Sequence, residues 1–295
     1  MTPVPPAGAV VPFGERLEQA FARHGQLCVG IDPHAWLLSD WGLPDSAAGV
    51  ESFGRAVVAA AFGRVGIIKP QVAFFERFGS AGYAALERTL ADARAAGLLV
   101  IADVKRGDLG TSSEAYAQAW LGAGSPLEVD AVTLTAYMGV GSLDAAIDLA
   151  AGTGKGLFLL SATSNPEAAV IQRAVVADGD RAGLSVARAI LDDVAERNSA
   201  ATTGPLGSIG VVLGATLDLA GFGIDVTAAP PVALTPVLAP GFGHQGADVA
   251  NLSALYGGYA RGVIVSESRS VLAAGPDRLH EAIARRVTET GAARG

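Results

Sequence analysis

Short apolar runs recur along the chain, separated by longer stretches in which apolar positions return every three or four residues. The runs at 27–31, 66–69, 98–102, 131–134, 156–160, 209–213, 234–238 and 262–265 read as strands. Most are apolar at nearly every position, the pattern of parallel strands covered on both faces. Helical patterns occupy 47–62, 80–95, 112–121, 142–151, 183–196 and 276–290. A weaker one at 215–220 runs on as a loop through Gly223 and Pro230–Pro231. Eight strands with helical crossovers predict an α/β chain, a closed (β/α)8 TIM barrel forming one domain over 1–295 behind a flexible segment at 1–12. An open doubly wound sheet competes, but it usually carries G-x-G-x-x-G after the first strand, which here ends Gly30-Ile31-Asp32-Pro33-His34.

Composition narrows the function classes. With 50% hydrophobic and 17% charged residues in 295, the chain has the makings of a large interior and not of a disordered segment. A formal charge of -8 argues against a broad nucleic-acid surface, while leaving room for a small basic pocket. No apolar run approaches the ~20 residues that span a bilayer, and the Pro-rich start lacks a basic region before an apolar run. The one cysteine, Cys28, cannot form an internal disulfide and reads as a buried small side chain, so a cytoplasmic protein is expected. His24, His34, His244 and His280 show no ligand spacing, and no metal is expected.

In a barrel of this kind chemistry sits at the C-terminal strand ends. Those ends deliver Asp32, then Lys69, then Asp103-Val104-Lys105-Arg106-Gly107-Asp108. Further on come Ser161 to Pro166, the run Pro240-Gly241-Phe242-Gly243-His244-Gln245-Gly246, and Ser266-Glu267-Ser268-Arg269-Ser270. Only three lysines occur, Lys69, Lys105 and Lys155, and arginine fills the other basic positions. A lysine directly after an apolar strand therefore suggests a compact ammonium that can give up a proton, which arginine does poorly. The competing reading is a lysine that snorkels to water.

Asp103 and Lys105 are two apart, so in a continuing strand they point the same way. Asp103, Lys105 and Asp108 would form an alternating carboxylate–ammonium–carboxylate array that keeps Lys105 charged in a closed site. At ~4 Å and an effective dielectric near ~20, each close pair is worth about 4 kcal/mol before desolvation. A surface patch of the same residues would be worth ~0–1 kcal/mol. At the last two strand ends, Gly241, Gly243 and Gly246 permit close backbone approach to an anion, Gln245 can donate an amide and Arg269 a bidentate contact, which suits a phosphate.

Asp103-Val104-Lys105-Arg106-Gly107-Asp108 resembles the D-x-K-x-x-D signature of orotidine 5'-phosphate decarboxylases. The flanking Cys28 to His34, Lys69 to Glu76, Thr163 to Pro166, Pro240 to Gly246 and Ser268-Arg269 look like the longer bacterial subtype, in order along nearly the whole chain. The resemblance implies conversion of orotidine 5'-phosphate to UMP and carbon dioxide in pyrimidine synthesis, without cofactor or metal, in a homodimer. By motif position Lys69, Asp103, Lys105 and Asp108 would be the charged network, with Asp108 reaching the partner's site and Lys105 protonating C6. Asp32 and Lys69 would hold the ribose, Ser164 the pyrimidine, and Gln245 with Arg269 the phosphate. The family's threonine four residues past the signature is Ser112 here, with Thr111 beside it; either can supply the hydroxyl. Two rivals stay open: a Mg2+-dependent sugar-phosphate decarboxylase or synthase of the same superfamily, and a non-catalytic phosphate-binding barrel. A lid is expected at 164–180 or in the polar stretch before the sixth strand, while Glu267, His34, His244 and 217–231 have no assigned role.

Overall fold

The computed structural model describes residues 10–201, 204–228 and 233–293. Eight parallel strands close into a barrel in sequence order. They are β1 (Leu27–Ile31), β2 (Ile67–Pro70), β3 (Leu99–Arg106), β4 (Ala131–Thr135), β5 (Gly156–Ala162), β6 (Ile209–Leu213), β7 (Val237–Pro240) and β8 (Val263–Glu267). The ladder closes through β1 and β8, with Leu27 opposite Val265 and Cys28 opposite Ser266.

The α-helices are α1 (Phe13–His24), α2 (Ala35–Asp40), α3 (Ala47–Ala61), α4 (Ala73–Glu76), α5 (Gly79–Ala95) and α6 (Gly110–Leu121) in the first half. The second half carries α7 (Asp144–Thr153), α8 (Ala169–Gln172), α9 (Val186–Ala201), α10 (Leu252–Tyr256), α11 (Arg269–Leu272) and α12 (Leu279–Ala292). Strands β1 and β6 are buried at every position, which explains their unbroken apolar runs.

Helix α1, which precedes the first strand, closes the N-terminal end of the barrel. Its Phe13 is fully buried and meets Phe158 of β5 edge-on at 6.0 Å. The contact requires Gly156, where a Cβ would lie 2.4 Å from the Phe13 ring. Arg16 of the same helix reaches Asp130 at 2.5 Å and the Gly154 carbonyl at 2.6 Å, both just before strands.

Several expected elements shift for identifiable reasons. Strand β7 starts at Val237 rather than 234 because Pro236 has no N–H for the ladder, and its carbonyl instead accepts from Val211. Strand β3 runs on to Arg106 through a break in register, four residues beyond the apolar run. The weak helix at 215–220 is a turn followed by a short 3-10 helix at Leu219–Phe222, which Asp218 caps by accepting from the Ala220 N–H. Residues 1–9 and Pro230–Pro231 lie outside the described residues, whereas residues 10–12 lead directly into α1. Cys28 is fully buried, and that burial pushes its thiol pKa up to about 12, the inert state expected of it.

Candidate active site

At the C-terminal end of the strands lies a cavity of about 310 Å3, within the size range of small-molecule sites. Its lining includes Asp32, Lys69, Asp103, Lys105, Ser164, Gln245 and Arg269, which the sequence had placed on separate strand ends. Barrel closure brings them together.

Asp103 is the centre of the charge network. One carboxylate oxygen accepts from Lys69 Nζ at 2.9 Å and from Gln71 Nε2 at 2.9 Å. The other accepts from Lys105 Nζ at 2.5 Å and from Thr133 Oγ1 at 2.8 Å. Burial alone would raise the Asp103 pKa, but the ammonium groups of Lys69 and Lys105 outweigh it and hold the carboxyl well below the usual range. Burial alone would lower the pKa of Lys69, and the charges of Asp103 and Asp32 outweigh it, holding the ammonium above its usual range. Both groups stay charged at neutral pH.

Asp103, Lys105 and Asp108 do not alternate within the cavity of a single chain. Within the chain the order is ammonium–carboxylate–ammonium, with Asp103 between two lysines. Asp108 lies outside the cavity, in a separate small cleft beside Tyr116 and Trp120, where its carboxylate accepts from the Leu109 N–H. Thr111 and Ser112 are exposed in the first turn of α6 and do not line the cavity. Nor do Asp103 and Lys105 meet through a regular strand: β3 changes register between Ala102 and Arg106, and Lys105 has φ +48°. The Lys105 side chain is 46% exposed, against 8% for Lys69, so one ammonium is buried and the other is open to the cavity.

The other end of the cavity is poised for an anion. Arg269 forms no ion pair among the described residues and stands at the start of α11. Gly241, Gly243 and Gly246 all adopt positive φ, and their turn carries His244 and Gln245 to the wall. Ser164 Oγ approaches Gln245 Oε1 at 3.4 Å, joining the rims of β5 and β7. Buried Asp32 Oδ1 and Ser268 Oγ have no hydrogen-bond partner among the described residues, which suits atoms that await a polar ligand.

Residues left without a role find one. Glu267 is buried and accepts from Arg286 Nε of α12 at 2.9 Å and from Ser270 Oγ at 2.7 Å, a packing role outside the barrel. His34 packs its ring against Phe74 at 4.4 Å, and burial first, then Arg269 and His244, hold its pKa below the usual value. The stretch 164–180 and the loop after β6 pack on each other, with Arg173 over the Phe222 ring at 4.5 Å.

Sequence reasoning missed Gln71 and Thr133 as parts of the network. Gln71 had a signal, lying two residues after Lys69. Thr133 had almost none, because a β-branched threonine belongs in a strand on propensity alone. Lys155, the third lysine, is at the opposite end of the barrel with Glu128 at 2.9 Å. Among the described residues no group of three or more His, Cys, Asp or Glu side chains converges as metal ligands would. No described helix is long and apolar enough to cross a membrane.

The chain is similar to known proteins along most of its length. A protein of Salinispora arenicola named orotidine 5'-phosphate decarboxylase is 49% identical over 265 residues, 90% of this chain and 91% of its own length. One of the same name from Streptomyces coelicolor is 49% identical over 267 residues, 90% of this chain and 91% of its own length. A crystal structure from Streptomyces avermitilis superposes with a TM-score of 0.89 at 48% identity, covering 99% of both chains. The OMP decarboxylase of Leishmania donovani does so with 0.70 at 27% identity, covering 96% of this chain and 99% of that one. The family model described as Orotidine 5'-phosphate decarboxylase / HUMPS matches residues 25–282, from β1 into α12, and the chain belongs to that family.

Proposed function

We propose that this chain, acting as one barrel domain over 1–295, decarboxylates orotidine 5'-phosphate to UMP and carbon dioxide in pyrimidine synthesis, without a cofactor. One observation carries the reading. A half-exposed ammonium, Lys105, is held by a buried carboxylate at one end of a cavity whose other end carries an arginine, Arg269, with no ion pair among the described residues. Loss of carbon dioxide from C6 of a uracil ring leaves an electron pair in an sp2 orbital that the ring π-system cannot absorb. The protein must meet that pair with charge already in place, and a fixed ammonium does so without reorganising. Lys105 then gives its proton to C6, the C6–carboxyl electron pair becoming the new C–H bond while carbon dioxide departs. Asp103 disfavours the substrate carboxylate and fixes both lysines.

The remaining contacts follow the cavity. Asp32 and Lys69 hold ribose hydroxyls, Ser164 the pyrimidine, and Gln245 with Arg269 the phosphate. The phosphate supplies binding energy remote from the reacting carbon. Asp108, with Thr111 or Ser112, completes the site of a second copy in a homodimer. Leu109 (60% exposed), Tyr116 (41%), Tyr137 (76%) and Met138 (41%) support this, since they leave apolar surface uncovered on α6 and the segments that follow β3 and β4. The lone buried thiol supports a cytoplasmic setting.

A continuous ultraviolet assay with orotidine 5'-phosphate, with and without EDTA, tests the reading. Turnover that ignores the chelator is expected. Activity that EDTA abolishes and Mg2+ restores would favour the Mg2+-dependent sugar-phosphate decarboxylase or synthase instead. Saturable UMP binding without consumption of substrate would make it a binding protein.

A further inference from the structure

Strands β3 and β4 pair regularly at Ile101–Ala131 and Ala102–Val132, and the next pairing is Arg106–Leu134. Four steps along β3 thus match two along β4, and residues 103–105 arch opposite Thr133. Lys105 sits at the end of that arch and is the one described non-glycine residue with positive φ, a backbone state L-residues adopt only when their surroundings enforce it. The register break also deprives the Lys105 N–H of a strand carbonyl.

Thr133 takes up both defects. Its Oγ1 accepts from the Lys105 N–H at 3.0 Å and donates to Asp103 Oδ1 at 2.8 Å. The directions are fixed by chemistry: the hydroxyl has one proton, the carboxylate can only accept, and the amide can only donate. Asp103 Oδ1 is also the oxygen that Lys105 Nζ touches at 2.5 Å. One hydroxyl, on a residue only 1% exposed, therefore ties the backbone of Lys105 to the counterion of its own ammonium.

We infer that Thr133 is a positioning residue for the proton donor: it stabilises the left-handed turn at Lys105 and orients Asp103, so that the ammonium is aimed before substrate arrives. This rests on Lys105 being the donor, as proposed above. Small misplacements of a reacting group are costly in rate. The hydroxyl hydrogen-bonds Asp103 and the Lys105 N–H rather than any group assigned to the ribose or the phosphate, so its effect belongs in kcat and not in KM.

The test compares Thr133→Val, which keeps the shape and deletes both hydrogen bonds, with Thr133→Ser, which keeps the hydroxyl. Thr133→Val is expected to lower kcat by roughly 10- to 100-fold, with KM and the Kd for UMP within about threefold of wild type. Thr133→Ser is expected to recover kcat to within about threefold, and Thr133→Val should add nothing in a Lys105→Ala background. Should the valine variant not fold, Thr133→Cys carries the same comparison, since a thiol is a weak donor and acceptor. Wild-type kcat in a folded Thr133→Val while Lys105→Ala is inactive would overturn this inference alone, as would equal kcat losses in the serine and valine variants. Normal turnover by Lys105→Ala would instead overturn the assignment of the proton donor.

Discussion

At the N-terminal end of the strands Asp130 accepts from Arg16 and from the Val100 N–H, while Lys155 reaches Glu128 at 2.9 Å and Asp130 at 3.9 Å. At the C-terminal end Asp103 accepts from Lys69, Lys105, Gln71 and Thr133. Both clusters are built from aspartate and lysine at strand ends, yet they differ in what they leave over. In the lower cluster every cation has its carboxylate and helix α1 covers the group. In the upper one a single carboxylate hydrogen-bonds two ammonium groups, with Asp32 adding its charge near Lys69, while Lys105 is half-exposed and Arg269 has no ion pair among the described residues and lines a cavity. A charge cluster that neutralises itself can only hold the fold together, whereas one with charge to spare is prepared for an anionic ligand.

The sharpest way to break the contrast is to remove each aspartate in turn. Asp103→Ala should reduce turnover of orotidine 5'-phosphate by about 10^2- to 10^3-fold or more, because the lysines lose their common anchor. Asp130→Ala should leave turnover per folded molecule nearly unchanged and lower the unfolding free energy by about 2–4 kcal/mol, since it strands Arg16 and the Val100 N–H. Steady-state kinetics and urea denaturation of the two variants separate the effects; a matching loss of activity in both would erase the distinction.

A smaller effect is expected at the anion end. Arg269→Ala should raise KM by about 10- to 100-fold, the worth of one charge-assisted contact, with little change in kcat. A fall confined to kcat would take Arg269 away from the phosphate.

The smallest expected effect is in pH dependence. Asp103 is held below the ordinary carboxylate range, so its contribution to stability is present above about pH 4 and is lost as pH falls through the folded value. Lys69 is held above the ordinary ammonium range, so its contribution is present below about pH 10 and is lost as pH rises through its folded value. Between about pH 5 and 9 neither changes. The stability difference between wild type and Asp103→Asn should therefore be flat across that window and shift by on the order of 1–2 kcal/mol towards the acid side. Urea midpoints at a series of pH values would show it.

Much of this contrast could be read from the chain before it was folded. Unbroken apolar runs located all eight strands, since a barrel strand is covered on both faces and cannot hide its composition. The strand-end rule then gathered Asp32, Lys69, Asp103, Lys105, Ser164, Gln245 and Arg269 correctly into one cavity. Short helices such as α4, α8, α10 and α11 were not legible, because four or five residues do not establish a period of 3.6. Nor was the two-lysine environment of Asp103. Sequence spacing assumes a regular strand, and the arch at 103–105 is set by pairing with β4, not by local preference. In the proposed dimer the place of Asp108 depends on a second copy, which one chain's pattern cannot position.

The account rests on Lys105 as the group that meets and protonates C6. Its most direct test is Lys105→Ala assayed for turnover of orotidine 5'-phosphate and, on the same preparation, for UMP binding by calorimetry. The account predicts turnover lower by about 10^3-fold or more with UMP affinity retained within about tenfold, because the phosphate contacts are elsewhere. A variant that binds UMP and still turns over at a rate near wild type would contradict it.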